Sequence, residues 1–134
     1  MFEFFRKYPL IFVVLIGSVI FLFFMRSTKP EGPGVKSMMA ARAICLACRQ
    51  YSREHNGVFP PSLDTLFPTY MQDRSKLVSP LNPSEPVGYT YTPPPPERTD
   101  SPDTIALEDK FAPALLHKRI VSYANGSARI LDAQ

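Results

Sequence analysis

The chain has 134 residues, fifteen Lys and Arg, twelve Asp and Glu, and a formal net charge of +3. Arg6, Lys7, Arg26 and Lys29 stand against Glu3 in residues 1–29, so the whole excess sits there and the remainder holds eleven of each sign. That excludes nucleic-acid binding, which needs an array of Lys and Arg against phosphates, and two cysteines are too few for a disulfide-stapled mini-protein.

The first element is Pro9 to Met25, PLIFVVLIGSVIFLFFM, an uncharged run of seventeen residues. It is near the lower limit for spanning a bilayer. Seven of the ten Phe fall within the first 24 residues. Tyr8 and the basic pairs flank the run as interfacial residues do. A cleaved signal peptide would need small residues at the end of the run, and Phe23-Phe24-Met25-Arg26 supplies none. The expectation is a membrane anchor over residues 1–26, spanning the bacterial inner membrane once through residues 9–25. The C-terminal part then lies outside the cytoplasm, although Lys and Arg near the two ends are nearly balanced.

Residues 27–35 include STKPEGPG, which predicts a linker, because two prolines and two glycines interrupt a helix. Fourteen of the fifteen prolines lie at position 30 or later. They exclude a helical bundle or a many-stranded parallel sheet. Val35 to His55 is the one long helix. Ala41, Ile44, Cys45, Cys48, Tyr51 and Ser52 fall on one face of it. Arg42, Arg49 and Arg53 fall off that face and are expected in solvent. Asn56-Gly57 stops the helix.

Ser62 to Phe67 predicts a short capped helix with Leu63, Leu66 and Phe67 buried. Residues 71–86 read as loop, with an apolar pair at Leu77-Val78. Val87 to Thr92 alternates as a strand, with Val87, Tyr89 and Tyr91 on one face. Pro93 to Asp103 is a polar loop and Thr104 to Leu107 a second strand. Lys110 to Lys118 is ambiguous, one helical turn interrupted by Pro113. Ile120–Ala124 and Ser127–Leu131 flank Asn125-Gly126, the strongest short hairpin signal, with positive φ expected at both turn residues. The predicted fold class is α+β. An N-terminal transmembrane helix precedes a domain, residues 36–134, in which one long amphipathic helix packs on a three- to four-stranded antiparallel sheet.

Several segments together resemble the bacterial type II secretion pseudopilins and related type IV pilin-like proteins. In ARAICLACRQYSREHNGVFPPSLDTLFP the resemblance rests on Tyr51, Asn56-Gly57, Phe59-Pro60, Leu63 and Leu66. Gly88-Tyr89-Thr90-Tyr91 is similar to the family's "GY-Y" strand, and IVSYANGSARIL to its closing hairpin. The resemblance covers about residues 36–131. It implies a pilin-like domain and a non-catalytic role in protein–protein assembly, in type II secretion or a pilus-like system. Two features depart from the family. The prepilin cleavage signal is not found, and STKPEGPG separates two segments that pilins run together.

The residue chemistry leaves two further readings. Cys45-Leu46-Ala47-Cys48 is a C-x-x-C, but it lies mid-helix on the apolar face, which favours core packing over a disulfide, a thiol oxidoreductase or a metal site. His55 and His117 have no companion ligands for zinc. Glu97, Asp100, Asp103, Glu108 and Asp109 form an acidic stretch. Major pseudopilins carry a calcium site in this region of the sheet, yet the spacing matches no EF-hand. A solvated loop is expected here, with a ligand-binding module as the alternative. No catalytic, cofactor-binding or metal-binding residue is assigned, no cofactor or small-molecule substrate is identified, and the expected partners are the membrane and other protein subunits.

Overall fold

The computed structural model describes residues 9–27 and 31–134. The chain divides into two units, Met1–Glu31 and Gly32–Gln134. In the first, helix α1 spans Pro9–Ser27, 19 residues. Its uncharged stretch ends at Met25 and at about 1.5 Å per residue is about 26 Å long, short of the ~30 Å hydrocarbon core of a bilayer. No helix among the described residues is long and apolar enough to cross a membrane. The expected transmembrane helix over residues 9–25 is overturned, and the single-pass inner-membrane placement built on it goes with it. Glu3, Arg6, Lys7, Tyr8 and Lys29, read as flanking residues, lie outside the described residues, as do residues 28–30 of the expected linker.

The second unit opens with helix α2, Pro33–Glu54, 22 residues. It starts two residues before the expected Val35, because proline is tolerated in the first turn, where its missing N–H costs nothing. Of the predicted face, Ala41, Ile44, Cys45, Cys48 and Ser52 are buried and Tyr51 half-buried, and Ser37 and Ala47 join them. Asn56 and Gly57 both take positive φ, and the Gly57 amide donates to the Ser52 carbonyl at 2.8 Å, ending the helix.

Two 3-10 turns follow, Leu63–Leu66 and Arg74–Leu77. Each inserts leucines into the core against α2: Leu63, Leu66 and Leu77 are buried beside Ile44 and Phe59. The Ser62 side chain makes no cap to the backbone; its hydroxyl meets Thr65 Oγ1 instead, at 3.3 Å.

The sheet is a four-stranded antiparallel meander in the order β1-β2-β3-β4. The strands are β1 (Tyr89–Tyr91), β2 (Ile105–Asp109), β3 (Lys118–Tyr123) and β4 (Ala128–Asp132). Strand β1 is shorter than the alternation predicted, and β2 continues two residues further. Tyr89 sits opposite Asp109, Leu107 opposite Ser122, and Ile120 opposite Ile130. Helix α3, Ala112–Leu116, connects β2 to β3. Pro113 falls in its first turn and so does not interrupt it.

The closing hairpin differs from its expected form. Only Gly126 has positive φ, at 91°, while Asn125 does not. The Gly126 amide donates to Tyr123 O, Tyr123 N donates to Ser127 O, and Asn125 Oδ1 accepts from the Ser127 amide. This is a three-residue loop with glycine in the left-handed position, the bulged alternative to a two-residue turn.

One polar cluster ties these pieces together. Asp109 is 1 % exposed. Its Oδ2 accepts from the Ser37 hydroxyl of α2 and from the Ser79 hydroxyl at 2.6 Å. Its Oδ1 accepts the Phe111 and Ala112 amides at 2.7 and 3.2 Å, satisfying backbone donors at the start of α3. The Tyr89 and Ser37 hydroxyls are 3.1 Å apart, and Ser37 and Ser79 are fully buried. Among the described residues Asp109 makes no ion pair; four donors from three segments meet its carboxylate instead. Burial, with the nearby Asp109 charge, pushes the Tyr89 hydroxyl up to about 12.

Gly88 makes the cluster possible. A Cβ there would lie 2.4 Å from Ser79 Cβ and 2.5 Å from Ser79 N. The backbone holds it on both sides, through Gly88 N to Leu77 O and Lys110 N to Gly88 O. Replacing Gly88 with Ala should therefore destabilise the domain by about 3 kcal/mol through overpacking against backbone. At Gly32, where a Cβ would meet nothing within 4 Å, the same change should stay within about 0.5 kcal/mol. Urea unfolding of the two variants measures the contrast, and equal effects would refute the close-approach explanation.

Candidate functional site

The C-x-x-C lies on the buried face of α2, as the sequence places it. Both thiols are free and 1 % exposed. Cys45 Sγ donates to Tyr123 O at 3.1 Å. Burial raises the Cys45 thiol above its ordinary value and pushes Cys48 up to about 12, with Cys45 adding to the latter. An exchange-active cysteine needs the opposite environment, accessible and with a depressed pKa. Tyr91 shares this pocket: its hydroxyl donates to Pro60 O at 2.7 Å, and burial followed by Cys48 raises its pKa.

The acidic stretch does not converge. Asp100 pairs with Arg49 at 2.9 Å. Glu108 accepts two bonds from Arg119, at 2.7 and 3.0 Å. Asp109 turns into the core, and Glu97 and Asp103 are exposed. Among the described residues no group of three or more His, Cys, Asp or Glu could hold a metal ion. His55 stacks on Tyr51 with centroids 3.7 Å apart, at the C-terminus of α2. His117 takes positive φ and ends α3.

Two features escape the sequence reading. The first is a groove of about 840 Å³ along the other face of α2. Ala40, Ala43 and Ala47 contribute small side chains to it, Met39 and Leu46 stand beside them, and Met71 lines it from the following loop. Met39 and Leu46 are 52 % and 48 % exposed, large apolar side chains on the surface of the domain. Lys36, Lys76 and Asp73 also line it, two positive charges against one negative. Met39, Ala43 and Leu46 recur at i, i+4 and i+7, a second apolar stripe that the stronger first one obscures.

The second is Arg49, expected in solvent. Its side chain is only 21 % exposed. Nη1 donates to Thr99 O at 3.1 Å and Ala124 O at 2.9 Å, besides pairing with Asp100. It joins α2 to the 96–103 loop and the closing hairpin, a contact that no local spacing announces.

No protein-family model, characterised protein or solved structure matches the chain. The geometry therefore stands alone. It offers an apolar groove on α2 and two buried thiols whose pKa values are raised.

The thiols also make a pH prediction. A folded-state pKa raised above its unfolded value means the unfolded chain loses its proton first. Stability is thus intact below about pH 9 and declines as pH rises through the window to about 12. Each such group contributes a slope of up to about 1.4 kcal/mol per pH unit. Urea midpoints measured from pH 8 to 11 should fall, and Cys48→Ala should flatten the fall. At pH 8, alkylation of native Cys45 and Cys48 should run at least a hundredfold slower than in the urea-unfolded chain; comparable rates would contradict the buried dithiol.

Proposed function

We propose that the chain is a non-catalytic assembly protein, a pseudopilin-like α+β domain that works by protein–protein contact in a secretion or pilus-like apparatus. The observation that carries this reading is the groove on α2. Its small-residue floor allows close approach of a helix backbone, and exposed Met39 and Leu46, with half-buried Met71, can repack around apolar side chains. The occupant is an apolar helix of a partner subunit with acidic residues on its rim, facing Lys36 and Lys76. The family resemblance of residues 36–131 supports the same class of role. The dithiol favours no competing chemistry, because its burial and raised pKa oppose exchange.

Amine-reactive cross-linking of the full chain in its source cells tests the proposal through Lys36 and Lys76. Wild type should give inter-subunit cross-links at these lysines. Filling the groove by Ala43→Gln should reduce them at least tenfold, whereas the off-groove change Arg42→Gln should not. Equal cross-linking of wild type and Ala43→Gln would reject the groove as the contact.

A further inference from the structure

A second, smaller pocket of about 220 Å³ lies at the C-terminal end of α2, lined by Arg49, Ser52, Arg53, Phe59, Thr99 and Asp100. Arg49 and Arg53 are one helical turn apart, so their side chains are neighbours. Like charges at that spacing are mildly destabilising. Asp100 supplies one negative charge, to Arg49 alone, from a side chain that is 85 % exposed. Arg53 makes no hydrogen bond or ion pair among the described residues. Among those residues, too, every hydrogen bond of Arg49 runs through Nη1. Its other guanidinium nitrogens retain donor capacity, and guanidinium presents paired donors to oxyanions.

We infer that this pocket is an oxyanion site, taking a phosphate or a carboxylate between Arg49 and Arg53. Asp100 is its internal stand-in: a surface carboxylate already seated on one of the two guanidinium groups shows the chemistry the pocket accepts. An incoming oxyanion displaces Asp100, bridges both arginines and relieves their repulsion. Neighbouring Ser52 adds a hydroxyl, and its residue is nearly buried at 7 % exposure. The volume admits a phosphate or an acidic side chain and is too small for a nucleotide. The +3 net charge plays no part in this, since it lies in residues 1–29. The inference is independent of the groove and of the assembly reading.

Calorimetric titration of the full chain at low ionic strength, with inorganic phosphate and separately with N-acetyl-aspartate amide, tests it. Saturable binding of phosphate alone identifies a phosphate ligand, and binding of the acetylated amide alone an acidic side chain. Asp100→Asn removes the competitor and should tighten binding by up to about fivefold, the scale of one exposed ion pair. Arg53→Gln should weaken it by about the same factor. Arg53 is exposed and makes no ion pair among the described residues, so this variant should leave stability within about 0.5 kcal/mol. Arg42→Gln, which removes an equal charge away from the pocket, should change nothing. The inference is overturned if neither probe saturates on wild type or Asp100→Asn, or if Arg53→Gln binds as wild type does.

Discussion

The domain depends on a buried carboxylate that has no counter-ion among the described residues. Asp109 lies at the end of β2, where the sheet, α2, the loop before β1 and α3 converge. A lone charge in that position would be prohibitive in an apolar interior. It is tolerated because two serine hydroxyls and two backbone amides donate to it. Each of those donors is itself buried or half-buried, so none has water as an easy alternative. The consequence is mutual: the carboxylate needs all three donor segments in place, and each donor needs the carboxylate.

The rest of the architecture follows from this junction. The Ser79 segment can reach Asp109 because Gly88 has no side chain to hold it off. The two 3-10 turns then carry Leu63, Leu66 and Leu77 onto the buried face of α2. Around Cys45 and Cys48 the core is apolar enough to raise both thiols, which is why the C-x-x-C packs like small aliphatic residues. What remains on the surface of α2 divides by chemistry. The Met39–Leu46 face is apolar and open, while the Arg49–Arg53 end is polar and positively charged.

Much of the α+β domain is legible in the sequence because its signals are local. The face of α2, the Asn56-Gly57 stop, the Tyr89–Tyr91 alternation and the final hairpin each declare themselves within about a dozen residues. The differences arise where one local signal has two outcomes or where the decisive contact is distant. Asn125-Gly126 marks a hairpin in either turn geometry, and the bulged form won. The uncharged run from Pro9 reads as a membrane span, but no helix among the described residues is long and apolar enough to cross a membrane. Asp109 reads as one of five acidic residues in a loop, because Ser37 and Ser79 lie 72 and 30 residues away in the chain. Arg49 reads as solvent-facing for the same reason: its acceptors Thr99 and Ala124 lie 50 and 75 residues on.

The central claim is that the Asp109 cluster acts as one cooperative unit. A double-mutant cycle between Ser79→Ala and Asp109→Asn, read by urea unfolding at pH 7, measures it directly. Removing either partner strands the other, so the second substitution should cost less once the first is made. A coupling energy of about 1 kcal/mol or more is predicted, as expected for residues in one buried hydrogen-bond network. Additive effects, with a coupling below about 0.3 kcal/mol, would contradict the account.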